Sequence, residues 1–538
     1  MCHMKWLQIE QKEEGFQDLV SSKSPEELTK AAKKIEKSIH QGDVDCLSIN
    51  DALGLFFDLN LSKEKYNTLR SVVNRIHKDC FPSYYALKIG KDEMLPNPIT
   101  VSETSAEVPL QDLVNRTVSS LVHLSTFKEK CNEEIGLTLE CKWGFDGSSG
   151  HSQYKQKFTE EPNSDEFLIV CAIVPLRIVN NTSGKEVWLN SQCSSSRYCR
   201  PIKICFKKEC PQLVRELENN MQKEISELRT YQPTVGEKKA CVDFKFMLTM
   251  MDGAIINVLT GNTAGQTCYL CHAKPIEMNT LNIREKPVNK EFFKYGLSTL
   301  HAHIKFFECI LHISYRLPLK CWRVTGERNK QTFNENKKRV QHEFKLKTGL
   351  IIDGVKTGYG TTNDGNTARR FFENCEISAE ITKIDVNLIK NFDKILRIIS
   401  CAKHINFTEF EALLDKTFHL YLNLYSWYYM PSTVHKILVH GSQVSKSFEI
   451  SIGLLSEEAI ETQHKEIRKM RLNNARKVST IATNYDIMSN MLLSSDPLLV
   501  RKRKSVKFNS FENIKEYVVQ DDKGEANSGS EVSDDELI

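Results

Sequence analysis

Residues 136–155 read GLTLECKWGFDGSSGHSQYK and carry a clear strand pattern. The odd-numbered residues from 137 to 145 are apolar and alternate with mostly polar ones, which predicts a strand with one buried face. Asp146 falls on the opposite face at the predicted strand end, directly before the turn-forming residues 147–150 (GSSG). A carboxylate held at a sheet edge is a candidate metal ligand, although turn formation alone is the commoner reason for an aspartate there.

Two further acidic candidates follow similar logic. Residues 242–248 alternate in the same way and end shortly before Asp252 and a glycine. Residues 456–471 (SEEAIETQHKEIRKMR) have helical spacing, with Ser456 as the predicted N-cap. Two strand-end aspartates and a helix-borne glutamate can converge on two divalent cations, which activate a water or a 3′-hydroxyl for attack on a phosphodiester. Glu457, Glu458 and Glu461 can share one helix face, so periodicity does not choose among them.

These segments, in this order, resemble the Transib family of DNA transposases and, more distantly, the catalytic subunit of the vertebrate V(D)J recombinase. The resemblance runs from about residue 61 to residue 499, and its last motif is the most specific. The motifs are LSKEKYNTLRSVV (61–73), FPSYYALKIGKDEMLP (81–96), KWGFDGSSGHSQYKQKF (142–158), FKFMLTMMDG (244–253), CYLC (268–271), NDGNTARRFF (363–372), VHKILVH (434–440) and SEEAIETQHKEIRKMRLNNARK (456–477).

The resemblance implies an α/β fold: a ribonuclease H-like DDE nuclease core with a large, mainly helical insertion and a helical N-terminal region. It implies a catalytic triad of Asp146, Asp252 and Glu461 that holds two Mg²⁺ or Mn²⁺ ions. The implied activity is nicking of double-stranded DNA at terminal inverted repeats, hairpin formation on the flanking DNA and strand transfer into target DNA, by at least a homodimer. The alternative is a domesticated, transposase-derived DNA-binding protein that no longer cuts. A zinc-stabilised scaffold whose aspartates only cap turns is a third possibility.

A second metal site is suggested by Cys268 and Cys271, a C-x₂-C pair of the kind that binds zinc through thiolates. His435 and His440 are the best candidates for the other two ligands. We expect Gly441 to stop their helix, so that a frayed last turn lets both rings converge. The resemblance implies the same four ligands around one structural Zn²⁺, which would join the two ends of the insertion.

Other cysteines and histidines compete for metal. His272 adjoins the C-x₂-C pair, and Cys199, Cys205 and Cys210 could form another site. For these three we favour buried thiols on or near a strand.

Basic residues near the acidic ones are candidate DNA contacts. Asn363 is the predicted N-cap of a helix whose first turns carry Arg369 and Arg370, an arrangement suited to a phosphate. The helix that carries Glu461 continues with further cations that could neutralise phosphates near the scissile bond. They are Lys465, Arg468, Lys469 and Arg471. An ordinary solvated helix face is the simpler explanation for both groups.

Composition limits the class of protein. The chain has 538 residues, 40% of them hydrophobic and 26% charged, as in globular proteins, and no apolar run is long enough to span a bilayer. We therefore expect no membrane partner. Seventeen cysteines without a secretion signal favour free thiols and metal ligation. The net charge is +4, but residues 521–538 carry seven acids and one lysine, which leaves about +10 for the preceding residues.

We divide the chain into six regions. They are a helical DNA-binding and dimerisation region (1–95), a connecting region (96–135), the nuclease core strands (136–265), the helical insertion with the zinc site (266–445), the catalytic glutamate helix and C-terminal helical part (446–499), and a basic cluster with an acidic disordered tail (500–538). Capping boxes predict helix starts at Ser24 and Thr408. The RKRK cluster at 501–504 is a candidate nuclear import signal, with a phosphate contact or a chance surface cluster as the alternatives, and we expect the protein in the nucleus.

Overall fold

We describe the chain from a computed structural model, which places residues 46–77, 79–124, 135–150, 158–159, 164–235, 238–356, 360–500 and 512–519. The predicted helix start at Ser24, the RKRK cluster and the acidic tail lie outside these residues. The six region boundaries remain predictions.

Three helices form the first described unit. They are α1 (Ile49–Asp58), α2 (Lys63–Ile76) and α3 (Tyr84–Met94). Each begins after a serine, and each serine hydroxyl accepts a hydrogen bond from the backbone amide three residues later, which satisfies one free amide of the first turn. Their apolar faces bury Leu53, Tyr66 and Leu87 in a core that also includes Leu493 and Leu499. The unit is therefore tied to the C-terminal part of the fold.

A mixed sheet forms the centre of the molecule. Its strands are β1 (Thr100–Val101), β2 (Ser105–Glu107), β3 (Ile135–Ser148), β4 (Leu168–Asn180), β5 (Glu186–Leu189), β6 (Arg200–Cys205), β7 (Thr234–Val235) and β8 (Lys238–Leu248). The strand order is β1-β2-β6-β4-β3-β8-β7, and β5 pairs with β4. The β3–β8 pair is parallel, whereas β3 and β4 are antiparallel. Helices α4 (Leu110–Val122) and α5 (Pro211–Ser226) connect strands of this sheet.

Helices dominate the chain after β8. They are α6 (Gly253–Leu259), α7 (Thr299–Arg316), α8 (Glu327–Thr348), α9 (Gly365–Glu373), α10 (Cys375–Thr382), α11 (Val386–Ser400), α12 (Phe407–Tyr425), α13 (Ser432–His435), α14 (Gly441–Lys446), α15 (Glu458–Asn473) and α16 (Thr480–Ser494). A small hairpin, β9 (Val355–Lys356) and β10 (Gly360–Thr361), interrupts them. Phe306 of α7 packs on Phe392 of α11 with ring centroids 4.5 Å apart. The expected mixture of strands followed by helices is confirmed.

The prediction of one buried face for β3 is wrong over its second half. Residues 139–146 are buried on both faces. The physical reason is position: β3 lies between β4 and β8, and α15 crosses the face that carries its polar residues. Lys142 on this face donates a 2.6 Å hydrogen bond from Nζ to the carbonyl of Ser456, just before α15.

The capping box predicted at the start of α12 is also wrong. Asn406 is the N-cap of α12 and makes no side-chain capping bond. Glu411, the predicted partner of Thr408, instead accepts hydrogen bonds from Ser442 and Lys446, both at 2.6 Å. A tertiary contact with α14 thus replaces the local one. Among the helices that the structure places, none has the length and apolar character needed to cross a bilayer.

Candidate functional site

Asp146 and Asp252 are brought near each other by two parallel neighbouring strands. Trp143 of β3 pairs with Leu248 of β8, so both strands end at the same sheet edge. Beyond Leu248 the chain crosses β3, and the amides of Thr249 and Met250 both donate to the Trp143 carbonyl at 3.1 Å. This crossing requires a glycine at 144, since a Cβ there would lie 2.0 Å from the Met250 carbonyl oxygen.

Asp252 caps a helix and also lies in an electrostatically unfavourable environment. Its carboxylate accepts a 2.8 Å hydrogen bond from the Ile255 amide and caps α6, as a turn or helix start would require. Burial nevertheless raises the pKa of Asp252, and the negative charge of Asp146 raises it further. Capping alone does not relieve this repulsion, so the site retains an affinity for positive charge.

Helix α15 brings Glu461 to the same place. Its His464 contacts β3 twice, with Nε2 3.1 Å from Asp146 Oδ2 and Nδ1 3.0 Å from Ser148 Oγ. One turn earlier, burial raises the pKa of Glu461, and Asp146 is the next cause. Asp146 therefore interacts electrostatically with both Asp252 and Glu461. In the placed part of the chain, no three carboxylates lie within 4.8 Å of one another, so these groups are spaced more widely than a closed single-ion site.

The other two glutamates of the α15 start have structural partners. Glu457 is buried and accepts hydrogen bonds from the Ser298 hydroxyl and from the His301 amide, at 3.2 Å for the latter. Glu458 forms an ion pair with Arg369. Among the three glutamates at the start of α15, Glu461 is therefore the one whose carboxylate accepts no hydrogen bond from the described residues, and the charge of Asp146 acts on it.

His301 is a site residue that sequence reasoning missed. Its Nδ1 lies 3.1 Å from Glu457 and its Nε2 lies 4.0 Å from Glu461. Burial acts to lower the pKa of His301, but Glu457, Glu461 and Asp252 raise it to about 9. His301 is therefore protonated at neutral pH and places a positive charge among the carboxylates. A histidine inside an amphipathic helix, as in α7, carries no distinguishing sequence signal.

Glu209 is a second missed residue. Burial raises the pKa of Glu209 to about 7, with Asp252 and Asp146 as the next causes. A Cβ at Gly147 would lie 2.5 Å from Glu209 Oε2, so the glycine after Asp146 leaves room for this carboxylate. We call Asp146, Glu209, Asp252 and Glu461 the acidic cluster. Glu209 lies in a polar connection before α5, where no periodicity marks it.

The C-x₂-C pair and the two histidines form a second, buried group. Cys268, Cys271, His435 and His440 offer ligand atoms that all lie within 4.8 Å of one another. Cys271 Sγ lies 3.3 Å from His435 Nε2. Nδ1 of His435 and both ring nitrogens of His440 are buried without a hydrogen-bond partner. Buried polar atoms normally have partners, so this donor set is complete for one tetrahedral metal ion. We call these four residues the metal cluster.

The histidines converge through a π-helical turn. Lys436–His440 form this turn between α13 and α14, and the two rings lie with centroids 5.1 Å apart. A π turn bonds residues five apart, so it brings positions 435 and 440 onto one side. The predicted frayed end and helix stop at Gly441 are wrong, because Gly441 has helical φ and begins α14.

The remaining cysteine and histidine candidates lie outside the metal cluster. His272 is exposed and adopts a positive φ of 55°. Cys199 and Cys205 are buried as predicted, whereas Cys210 is exposed, because it precedes the first turn of α5 at the surface.

The two arginines of α9, which are candidate DNA contacts, make contacts within the protein. Asp364, and not Asn363, caps this helix by accepting from the Thr367 amide at 2.9 Å. Arg369 pairs with Glu458 of α15. Arg370 is exposed and donates to the Thr348 carbonyl at 3.2 Å.

The four cations of α15 differ in exposure. Lys465 and Lys469 are exposed, and Arg468 donates to the Ser149 carbonyl at 3.3 Å. Arg471 is buried, forms an ion pair with Asp165 and stacks 5.0 Å from the Phe206 ring centroid. We therefore do not retain Arg471 as a DNA-contact candidate.

Comparisons with known proteins add little. Neither protein-family models nor curated proteins match the chain. Among solved structures, the chain is similar to the Drosophila P element transposase strand transfer complex, with 10% identity and a TM-score of 0.32, over 89% of this chain and 100% of the other. At that TM-score the similarity supports no conclusion about fold or function.

Proposed function

We propose that this protein is a DDE-type DNA transposase or recombinase of the Transib kind, with a ribonuclease H-like core and a helical insertion. The observation that carries the proposal is the acidic cluster. Asp146 and Asp252 come from the shared end of parallel strands, and Glu461 comes from a helix that crosses the same strand. The motif order from residue 61 to residue 499 supports the same assignment.

The acidic cluster fits two divalent cations by its charge. Burial and mutual repulsion raise the pKa values of Glu209, Asp252 and Glu461, so bound cations would relieve an existing cost. Asp146, Asp252 and Glu461 would hold two Mg²⁺ or Mn²⁺ ions, with Glu209 beside them. Such ions lower the pKa of a water or a 3′-hydroxyl and stabilise the leaving oxygen of a phosphodiester.

The protein's own groups position this chemistry. His464 Nε2 lies within hydrogen-bond distance of Asp146 and orients its carboxylate. His301 Nδ1 lies within hydrogen-bond distance of Glu457, and its Nε2 approaches Glu461. Exposed cations on the same side, Lys465 and Lys469, would contact DNA phosphates without reading sequence.

The metal cluster would hold a structural Zn²⁺. Two thiolates and two imidazoles are a usual ligand set for zinc, and the unpartnered ring nitrogens agree with it.

We further propose that the substrate is double-stranded DNA with terminal inverted repeats. Nicking would be followed by hairpin formation on the flanking DNA and by strand transfer. The protein would act in the nucleus as a homodimer.

A cleavage assay tests this function. The purified chain should nick a duplex that carries the inverted repeats flanking its own gene, in the presence of Mn²⁺. Asp146→Asn should reduce the nicking rate at least about 100-fold, since it removes a negative charge that would hold the cations and keeps nearly the same side-chain shape. Asp243→Asn, an exposed aspartate of β8 bonded to Thr230, is the matched control and should nick normally.

Other outcomes separate the alternatives. Repeat-specific binding without nicking would favour a domesticated DNA-binding protein. Neither binding nor nicking would favour a scaffold whose aspartates only cap turns.

A further inference from the structure

His464 joins the helix that carries Glu461 to the strand that carries Asp146. The sequence predicts a turn at Ser148, but the structure makes it the last residue of β3, on the same strand face as Asp146. His464 Nε2 lies 3.1 Å from Asp146 Oδ2, and His464 Nδ1 lies 3.0 Å from Ser148 Oγ. The end of β3 therefore engages both nitrogens of the imidazole ring.

These two contacts fix the orientation of the ring. His464 is buried, with 6% of the residue exposed. A carboxylate oxygen only accepts hydrogen bonds, so His464 donates to Asp146 from Nε2, whereas a hydroxyl can donate to Nδ1 or accept from it. Ser148 can therefore hold the ring in its neutral and in its protonated form, and in both the Nε2 hydrogen is directed at Asp146.

The two carboxylate oxygens of Asp146 have different surroundings. Oδ2 accepts the hydrogen bond from His464. Among the residues that the structure places, none donates a hydrogen bond to Oδ1. Oδ1 is thus the oxygen of Asp146 that is available to a cation. Hydrogen-bonded partners of this kind orient a metal ligand and change its affinity for the metal.

His464 also links the positions of two candidate ligands. It lies three residues after Glu461 on α15, so about one helical turn separates the imidazole that holds Asp146 from the second carboxylate. The next turn of α15 makes a further contact, because Arg468 donates to the Ser149 carbonyl at 3.3 Å. The end of β3 and the first turns of α15 are therefore held against each other.

We propose that His464, itself oriented by Ser148, is a positioning residue that occupies Oδ2 of Asp146 and directs Oδ1 toward a cation of the acidic cluster. The role rests on the proposed function and concerns its first requirement, the binding of divalent cations. It also makes Ser148 part of the candidate site, although its hydroxyl would not bind the cation itself.

Mn²⁺ binding to the zinc-loaded protein tests this role with a readout other than activity. Isothermal titration calorimetry gives the dissociation constant, and Asp146→Asn shows which binding belongs to the acidic cluster. His464→Leu, which keeps a similar volume and removes both hydrogen bonds, should weaken this binding about 10-fold. Ser148→Ala should weaken it about 3-fold, as for one lost hydrogen bond, and Ser148→Thr should stay within about 2-fold of the wild type.

Nicking and stability separate positioning from a folding defect. At limiting Mn²⁺, His464→Leu should nick the repeat-bearing duplex about 10-fold more slowly, and excess Mn²⁺ should restore most of the rate by mass action. Thermal unfolding without divalent cations checks the fold of each variant. Ser148 is half-buried, so Ser148→Ala tests the role even if His464→Leu unfolds. Thr138→Val, which removes a hydrogen-bonded hydroxyl near the other end of β3, is the matched control.

The outcomes for this role and for the proposed function differ. Wild-type Mn²⁺ affinity in both His464→Leu and Ser148→Ala would overturn the positioning role and leave the proposed function intact. Mn²⁺ binding that depends on Asp146 and His464, without any nicking by the wild type, would support the positioning role and overturn the proposed function. A wild-type protein whose acidic cluster binds no Mn²⁺ would overturn both.

Discussion

At the scale of single residues, the main feature is crowded negative charge around Asp146. Asp252, Glu461 and Glu209 all have raised pKa values, with burial as the first cause in each. The protonated His301 offsets part of this charge. Without bound cations, the acidic cluster therefore opposes folding at neutral pH, which is a common property of sites selected for binding.

The free energy by which the acidic cluster opposes folding depends on pH through the carboxyl group of Glu209. Its pKa rises from 4.5 in the unfolded chain to about 7 in the folded one. The folded state thus holds the proton more tightly, and stability falls as pH rises through that interval. Glu209→Gln should raise the melting temperature at pH 8, by about 1–2 °C without divalent cations, and change little at pH 4.5. Thermal unfolding at both pH values, with exposed Glu216→Gln as control, measures this effect. A stabilisation equal at both pH values would disprove the electrostatic origin.

At the scale of elements, the position of α15 on the sheet decides where Glu461 lies. Lys142 bonds to the Ser456 carbonyl, Gln463 Nε2 donates to the Cys199 carbonyl at 2.5 Å, and His464 bonds to Asp146. Lys142 is fully buried, and burial lowers its pKa. Burying an ammonium that donates a hydrogen bond to only one carbonyl costs free energy of folding. We therefore infer that Lys142 positions α15 rather than stabilises the protein.

Lys142→Met separates positioning from stability. Methionine has a similar length and no charge to bury, so the melting temperature should stay equal or rise. The start of α15 loses its link to β3, and nicking should fall about 10-fold. Nicking rate and thermal unfolding are measured together, with exposed Lys239→Met of β8 as control. Unchanged nicking would show that α15 is held without this bond.

At the scale of the whole molecule, the metal cluster closes a long loop of chain. Cys271 and His435 are 164 residues apart in sequence, and α7 to α12 lie between them. A metal ion bound by these four residues would therefore join the start and the end of the helical region, which follows α6 and its N-cap Asp252. Loss of the metal should loosen both the helical region and the candidate active site.

His440→Ala tests this coupling. The variant should lose bound zinc, measured by elemental analysis, and its melting temperature should drop by several degrees, because metal binding contributes to folding free energy. Nicking should fall with it. His272→Ala removes an exposed neighbour of the C-x₂-C pair and should keep the metal. A metal-free His440→Ala protein with wild-type stability and nicking would contradict the coupling.

The periodicity of apolar residues predicted the main helices and strands, because each of them buries side chains at a regular spacing along the chain. The strand patterns at 137–145 and 242–248 fall within β3 and β8, and the helical spacing at 456–471 corresponds to α15. It failed where a tertiary neighbour overrode the local pattern, as on the second face of β3. Sequence spacing also pointed to His435 and His440, but it did not predict the π-helical turn that joins them.

Local sequence was sufficient for the main strand and helix patterns and for the residue types of the metal cluster, since side-chain period and ligand chemistry are local properties. Only tertiary structure decided which carboxylates meet. Glu209, His301 and His464 reach the cluster from separate segments, and Glu457 and Glu458 are drawn away by Ser298, His301 and Arg369. The reason is that hydrogen bonds and charge interactions depend on distances in space, which the packing of α15 and α7 against β3 sets.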